Sequence, residues 1–242
     1  MSYSRFLTIK MNASYTPENS PDIIYDRQFS IISEIDPPWG LKGREKIPIR
    51  DGKPRPAVGI RYTQLDGISP IRSFYFGYIS RNRPDLPPDA PLFDDTLTID
   101  FNPKKIKDTW HYIFDVAFKK YIEATRPHFG RIYDEQIHSD DVAIFDEVSG
   151  QSEFNPHYID WRNGVYRVWQ ANYWNAELCQ RAFALSPKQV RHRLEGLVEN
   201  CELFMDGVIV IYSYSKMDSD EIIQINKNVL PALGVGISGR RA

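Results

Sequence analysis

TLTIDFNPKKIKDTWHYIFDVAFKKYIEATRP, residues 96–127, decides the fold class, because it passes from one kind of regular structure to another within a single run. Thr96 to Phe101 predicts a strand. Asn102-Pro103 then supplies a helix start, with asparagine as N-cap and proline at the first position, where its missing N–H costs nothing. Ile106, Trp110, Ile113, Ala117, Tyr121 and Ala124 recur at helical spacing, so the expectation is one long amphipathic helix that ends before Pro127.

Upstream the chain reads as a meander. Arg5 to Met11 alternates and predicts a strand, Asn12 to Pro21 is polar, and Ile23 to Ile35 fits strand or helix until Asp36-Pro37-Pro38-Trp39-Gly40 breaks it. Arg50-Asp51-Gly52-Lys53 is a hairpin-type turn signal before expected strands at Ala57 to Thr63 and Ile71 to Ile79, the second with Phe74, Phe76 and Tyr78 on one face. Arg81 to Pro91, with four prolines, is a loop. Downstream, Gly164 to Trp174 predicts a strand or strand pair. Ser186-Pro187 opens a second helix carrying Val190, Leu194, Leu197 and Val198. Asp206-Gly207 turns into a strand within Met205 to Tyr214, and Asp218 caps a last helix bearing Ile222, Ile225, Val229 and Leu233, closed by Gly234. Strands first, then alternating helix and strand, indicate an α+β fold: a mostly antiparallel sheet with about three amphipathic helices on it. The expectation is a single domain over residues 1–242, with subdivision near residue 102 or 130 as the alternative.

The 242 residues, 42% apolar and 26% charged, suffice for a real core and exclude a disordered chain. Thirty basic and thirty-two acidic side chains give a formal charge of -2, which disfavours a general polyanion binder, so no direct nucleic-acid partner is expected. Met1 to Met11 carries Arg5 and Lys10 and no apolar run of signal-peptide length, and the apolar stretch at Val208 to Tyr212 is too short to cross a bilayer. A cytoplasmic protein without membrane contact is expected. Cys179 and Cys201 match neither a disulfide framework nor a zinc pattern and are expected as buried thiols.

The near-neutral total conceals two opposed regions. Lys42 to Arg61 holds seven basic residues and two acidic ones, a local balance of +5. Arg131 to Trp161 holds eight acidic residues and only Arg131 as a base, a balance of -7. Within that second region Asp134, Glu135, Asp140, Asp141, Asp146, Glu147 and Glu153 are interleaved with Phe145, Phe154, Tyr158 and Trp161. Carboxylates steer an encounter with a cationic surface and aromatics supply the anchoring hot spots, so these eleven residues are the candidate protein-binding set. A merely solvated loop would have the same acidic content.

The chemical constellations are weaker. His138, Asp140 and Asp141, with His128 and His157 nearby, offer nitrogen and oxygen donors for a divalent metal, but their spacing matches no ligand motif, and such residues commonly serve as turns and caps. Asp22 with Asp51-Gly52-Lys53 imitates the acid, acid-x-lysine arrangement of magnesium nucleases, yet Asp51-Gly52 reads as the hairpin turn itself. No nucleophile elbow and no phosphate loop is present, and Gly234-Val235-Gly236 follows a helix rather than a strand. Tyr166, Trp169, Tyr173 and Trp174 could stack bases or sugars, but alternating aromatics of a strand are more commonly core. Arg191, His192 and Arg193 read as the solvated face of the second helix. No cofactor and no catalytic residue is expected.

Val168-Trp169-Gln170-Ala171-Asn172-Tyr173-Trp174, Leu185-Ser186-Pro187, Asp206-Gly207-Val208 and Asp218 to Gly234 together resemble the immunity protein 52 family of bacterial polymorphic-toxin systems, over roughly Val165 to Val235. The resemblance implies a non-enzymatic α+β antitoxin that neutralises a cognate secreted toxin, commonly a restriction-endonuclease-like nuclease delivered by a type VI secretion system. It transfers no interface residues. A nuclease needs a basic cleft, so an acidic, aromatic-studded segment is a fitting plug for one. The expected complex is one-to-one or two-to-two, the latter with a homodimer of this chain. The competing expectations are a metal-dependent hydrolase built on His138, Asp140 and Asp141, and a non-catalytic adaptor of a secretion system.

Overall fold

The structure, a computed structural model, describes residues 6–14, 20–49, 57–63, 69–79, 94–106, 109–139, 164–165 and 167–235. The chain gathers into two compact units, one of Ile9–Pro127 and one of His128–Ala242 with Met1–Thr8. Both contain strands and helices, and the strand pairs whose register is defined are antiparallel, so the α+β expectation holds.

In the N-terminal unit four strands lie in the order β2-β3-β4-β1: β1 (Leu7–Ala13), β2 (Ala57–Thr63), β3 (Ile71–Ile79) and β4 (Asp95–Phe101). The hairpin signal at Arg50-Asp51-Gly52-Lys53 and the loop at Arg81 to Pro91 fall outside the described residues. Phe74, Phe76 and Tyr78 share one face of β3 and are fully buried, each such aromatic contributing roughly 1.5–3 kcal/mol of burial. The ambiguous stretch after residue 20 is a helix, α1 (Pro21–Ile32). Ser20 caps it by accepting the Ile23 N–H, Pro21 occupies the first turn, and Ile24, Tyr25, Gln28 and Ile32 form its buried face. Tyr25 meets Phe76 edge-on at 5.3 Å, and its hydroxyl lies 2.6 Å from that of Tyr62. Tyr78 donates to Gln28 Oε1 at 2.6 Å, so the polar tips of this aromatic core are bonded inside it.

The expected long helix is divided. Asn102 caps only a 3-10 turn, Pro103–Lys105, by accepting the Lys104 N–H at 3.0 Å. The helix proper, α2, begins at Trp110 and runs through Trp110–Tyr112, a π-helical turn at Ile113–Ala117 and Phe118–Thr125. Arg126 ends it at φ 48°, its N–H donating to Ile122 O. The asparagine-proline signal therefore marks a real start, but of a single turn rather than of the helix.

The C-terminal unit has the strand order β5-β6-β8-β7: β5 (Phe129–Asp134), β6 (Ala171–Asn175), β7 (Asn200–Phe204) and β8 (Gly207–Ile211), all antiparallel. Helices α3 (Ala176–Phe183), α4 (Pro187–Leu194) and α5 (Ser219–Ala232) share a core with Phe129, Trp174, Val208 and Val210. Capping boxes start α4 at Ser186 and α5 at Asp218, as the sequence signals indicate. Gly207 is required by close approach, since a Cβ there would lie 2.3 Å from Trp174 O. Three expectations are corrected. The Gly164 to Trp174 strand shrinks to β6, because Trp169 spends its N–H and C=O on the Asn172 side chain at 3.0 and 2.8 Å instead of on a ladder. The second helix stops at Leu194, so Leu197 and Val198 lie beyond it. Arg131, expected as the start of an irregular acidic loop, is inside β5, every residue of which is buried, so no polar and apolar alternation marks it.

Helix α3 closes with a left-handed residue, Ala184 at φ 56°, whose N–H donates to Gln180 O while Leu185 N–H donates to Cys179 O. Alanine is strained there and its side chain is exposed. Ala184→Gly is expected to stabilise the protein by about 0.5–1 kcal/mol, seen as a melting-temperature rise of roughly 1–4 °C. An unchanged or lower melting temperature would contradict the strain.

Candidate partner-binding site

The acidic stretch lies in sequence between β5 and β6, and its described flanks on both sides are built from tightly packed side chains. On the outgoing flank Asp134 is buried, and its Oδ1 accepts the Gln136 N–H at 2.9 Å, capping a helical turn over residues 135–139. Glu135 on that turn is exposed. His138 is buried on the same turn, edge-on to Tyr133 at 5.3 Å and to Trp169 at 5.9 Å. Arg131 is fully buried in β5 and holds its guanidinium 4.3 Å from the Tyr133 ring and within 6 Å of Phe129 and Trp169.

On the returning flank Val165, Val168 and Trp169 are all buried in the core of the unit. Val168 N–H donates to Asn226 Oδ1 at 2.6 Å, and Asn226 Nδ2 donates back to Val168 O at 2.9 Å, so α5 holds both backbone polar groups of this residue. Residue 138 on the way out and residue 169 on the way back are thus in ring contact. The ends of the intervening stretch are held together on a rigid support, which is how chain segments that carry recognition are commonly presented.

Of the eleven candidate residues, Asp134 serves as this buried cap and Glu135 stands at the surface beside it. Asp140, Asp141, Phe145, Asp146, Glu147, Glu153, Phe154, Tyr158 and Trp161 lie outside the described residues, as do His157 and Tyr166. His138, a donor in the metal alternative, is packed among rings. Among the described residues no group of three or more His, Cys, Asp or Glu side chains is placed to hold a metal ion. Trp169, Tyr173 and Trp174 are core residues, not a stacking platform. Arg191, His192 and Arg193 are exposed on α4, as expected. Helix α3 and strand β7 are absent from the sequence expectation. Asn175, which caps α3 by accepting the Leu178 N–H at 2.8 Å, and the helical spacing of Leu178, Cys179, Ala182 and Phe183 are the signals that mark it.

Both cysteines are free, Cys179 buried and Cys201 only half-buried. Burial pushes each thiol from 9.0 up to about 12, and for Cys179 the neighbouring Cys201 adds to the rise. At pH 8 the thiolate fraction falls about a thousandfold, so alkylation of the native protein by iodoacetamide is expected to be correspondingly slow by mass spectrometry. The unfolded chain releases these protons at lower pH than the folded one. Stability from this source is therefore whole below pH 9.0 and declines as pH rises toward 12, and Cys179→Ala should flatten the decline. Rapid native labelling would show that the thiols are not shielded.

No helix among the described residues is long and apolar enough to cross a membrane. No protein-family model and no curated protein matches this chain, so the immunity-family resemblance rests on the motifs quoted above. Among solved structures the chain is similar to the Pseudomonas aeruginosa T6SS protein PA0821, with 13% identity, a TM-score of 0.51, and coverage of 96% of this chain and 75% of that one. At that identity the likeness is one of architecture, and it extends over nearly the whole chain.

Proposed function

We propose that the protein is an immunity protein that binds and neutralises a cognate secreted toxin, a nuclease effector of a type VI secretion system, by steric and electrostatic blockade in the cytoplasm. The observation that carries this reading is the acidic, aromatic-rich stretch between residues 134 and 161, mounted between two flanks that touch through His138 and Trp169. A local charge of -7 over residues 131–161 suits capture of a basic nucleic-acid-binding cleft. The likeness in architecture to a T6SS protein and the sequence resemblance support the same reading. Inhibition of this kind needs no reaction, cofactor or metal. His138 is engaged with Tyr133 and Trp169, which makes the metal-dependent hydrolase the weaker alternative.

The test is association with the product of the neighbouring gene, expected to be an effector whose toxic domain carries an inactivating substitution so that it can be purified. A stable complex of one-to-one or two-to-two composition is expected. Replacing Asp140, Asp141, Asp146 and Glu147 together by Ser should slow association by about tenfold or more at low salt and flatten its salt dependence, with dissociation less affected. Unchanged kinetics would remove this region from the interface. Stoichiometric heat on titration with magnesium or zinc, accompanied by turnover of a phosphodiester, would replace the reading with the hydrolase.

A further inference from the structure

The basic run that opens at Lys42 begins as a strap across the N-terminal unit. It departs from Leu41, which is fully buried and whose N–H donates to Ile32 O at 3.1 Å. Beyond that anchor the chain has no helix or strand as far as residue 49, and Lys42, Gly43, Glu45, Lys46, Ile47 and Pro48 are all exposed. Apolar burial therefore does little to hold it down.

One hydroxyl does most of the holding. Tyr62 of β2 accepts the Ile47 N–H at 3.0 Å and donates to Glu45 O at 3.4 Å, so it closes on the strap from either side of Lys46. Its single proton being spent on Glu45, it receives that of Tyr25 at 2.6 Å. Lys46 pairs with Asp26 of α1 and stands 5.5 Å from the Tyr25 ring, while Lys42 pairs with Asp36 at 2.8 Å. Tyr25 has no exposed surface, and Tyr62 is buried with it. An exposed strap thus lies over two buried phenols. It is fastened by the hydroxyl of one of them and by two ion pairs whose four side chains all face solvent, where salt screens them.

We propose that residues 42–49 are a salt-sensitive latch, which opens without unfolding of the N-terminal unit and in opening uncovers the Tyr25–Tyr62 pair. Tyr62 is the clasp. The cations of the strap set how firmly it closes, so ions that compete for Lys42 and Lys46, or for Asp26 and Asp36, shift the latch toward its open form. The proposal goes beyond the toxin reading and does not rest on it.

Native-state hydrogen exchange of the full chain, resolved by residue with NMR, tests it. The Ile47 amide exchanges when the clasp opens, whereas the amides of β3, which lies between β2 and β4, need the sheet itself to open. Ile47 is expected to exchange roughly a hundredfold or more faster than Phe76, at a rate that low denaturant leaves unchanged. Relative to Phe76, it should exchange about two- to fivefold faster in about 0.5 M than in about 0.05 M sodium chloride. Tyr62→Phe keeps the ring and removes both strap bonds, so Ile47 exchange should rise about tenfold, with a smaller rise at Phe76. That change also takes a partner from the buried Tyr25 hydroxyl. Lys46→Ala, on the exposed strap, leaves the two phenols intact; it should raise Ile47 exchange about threefold and remove most of the salt effect. Ile47 exchange that follows Phe76 in denaturant, insensitivity to salt, no rise at Ile47 in Tyr62→Phe, or equal rises at both amides in the two variants would each overturn the latch.

Discussion

Trp174→Ala is expected to cost about 3–5 kcal/mol, a large part of the stability available to a domain of this size. Trp174 is fully buried at the end of β6, opposite Phe129 in the ladder and edge-on to Phe183 of α3 at 5.0 Å. Truncation opens a cavity where the strands and the first helix of the C-terminal unit meet, and close packing gives the neighbours little room to collapse into it. The indole Nε1 has no hydrogen-bond partner among the described residues. Trp174→Phe therefore removes a buried donor along with some volume, and its cost should fall well below that of alanine. Denaturant titration followed by circular dichroism measures both. An alanine variant within about 1 kcal/mol of wild type would mean that this tryptophan is not a core residue.

Asn226→Leu is expected to cost about 2–4 kcal/mol although it fills the same space with an apolar group. The side chain satisfies both polar atoms of Val168 and also donates to Ile222 O at 2.7 Å, so leucine leaves a buried N–H and C=O of Val168 without partners. Asn226→Asp, which sets a buried carboxylate against the Val168 and Ile222 carbonyls, should cost at least as much at neutral pH. The consequence for binding is separate. Val168 follows the acidic stretch in sequence, so under the proposed function loosening this clamp should weaken partner association without altering the charge. Equal loss of stability with wild-type association kinetics would show that the clamp supports the core and not the presentation of the stretch.

Elements whose chemistry is local were legible. Strands β2 and β3 occupy the expected residues, Ser186 and Asp218 start helices as capping signals require, and Asp206-Gly207 makes the turn into β8. Elements decided by long-range partners were not. Strand β5 is buried throughout, so its sequence lacks the alternation that identifies a half-exposed strand, and β7 gains its identity only from the β8 register. The stretch from Val168 to Gln170 has strand-forming residues, but two asparagines, one of them 58 residues away, claim its peptide groups.

The candidate site divides in the same way. Charge and aromatic content of the stretch from Asp134 to Trp161 are properties of the amino-acid order and require no fold to be read. The roles of Asp134 as a cap, His138 as a packed ring and Arg131 as a cation enclosed by aromatics depend on which surfaces the packed chain covers. Composition and period report what a residue prefers in water or on a half-buried face. Only tertiary contacts determine which backbone groups and which charges are left facing solvent, because burial is a property of neighbours distant in sequence.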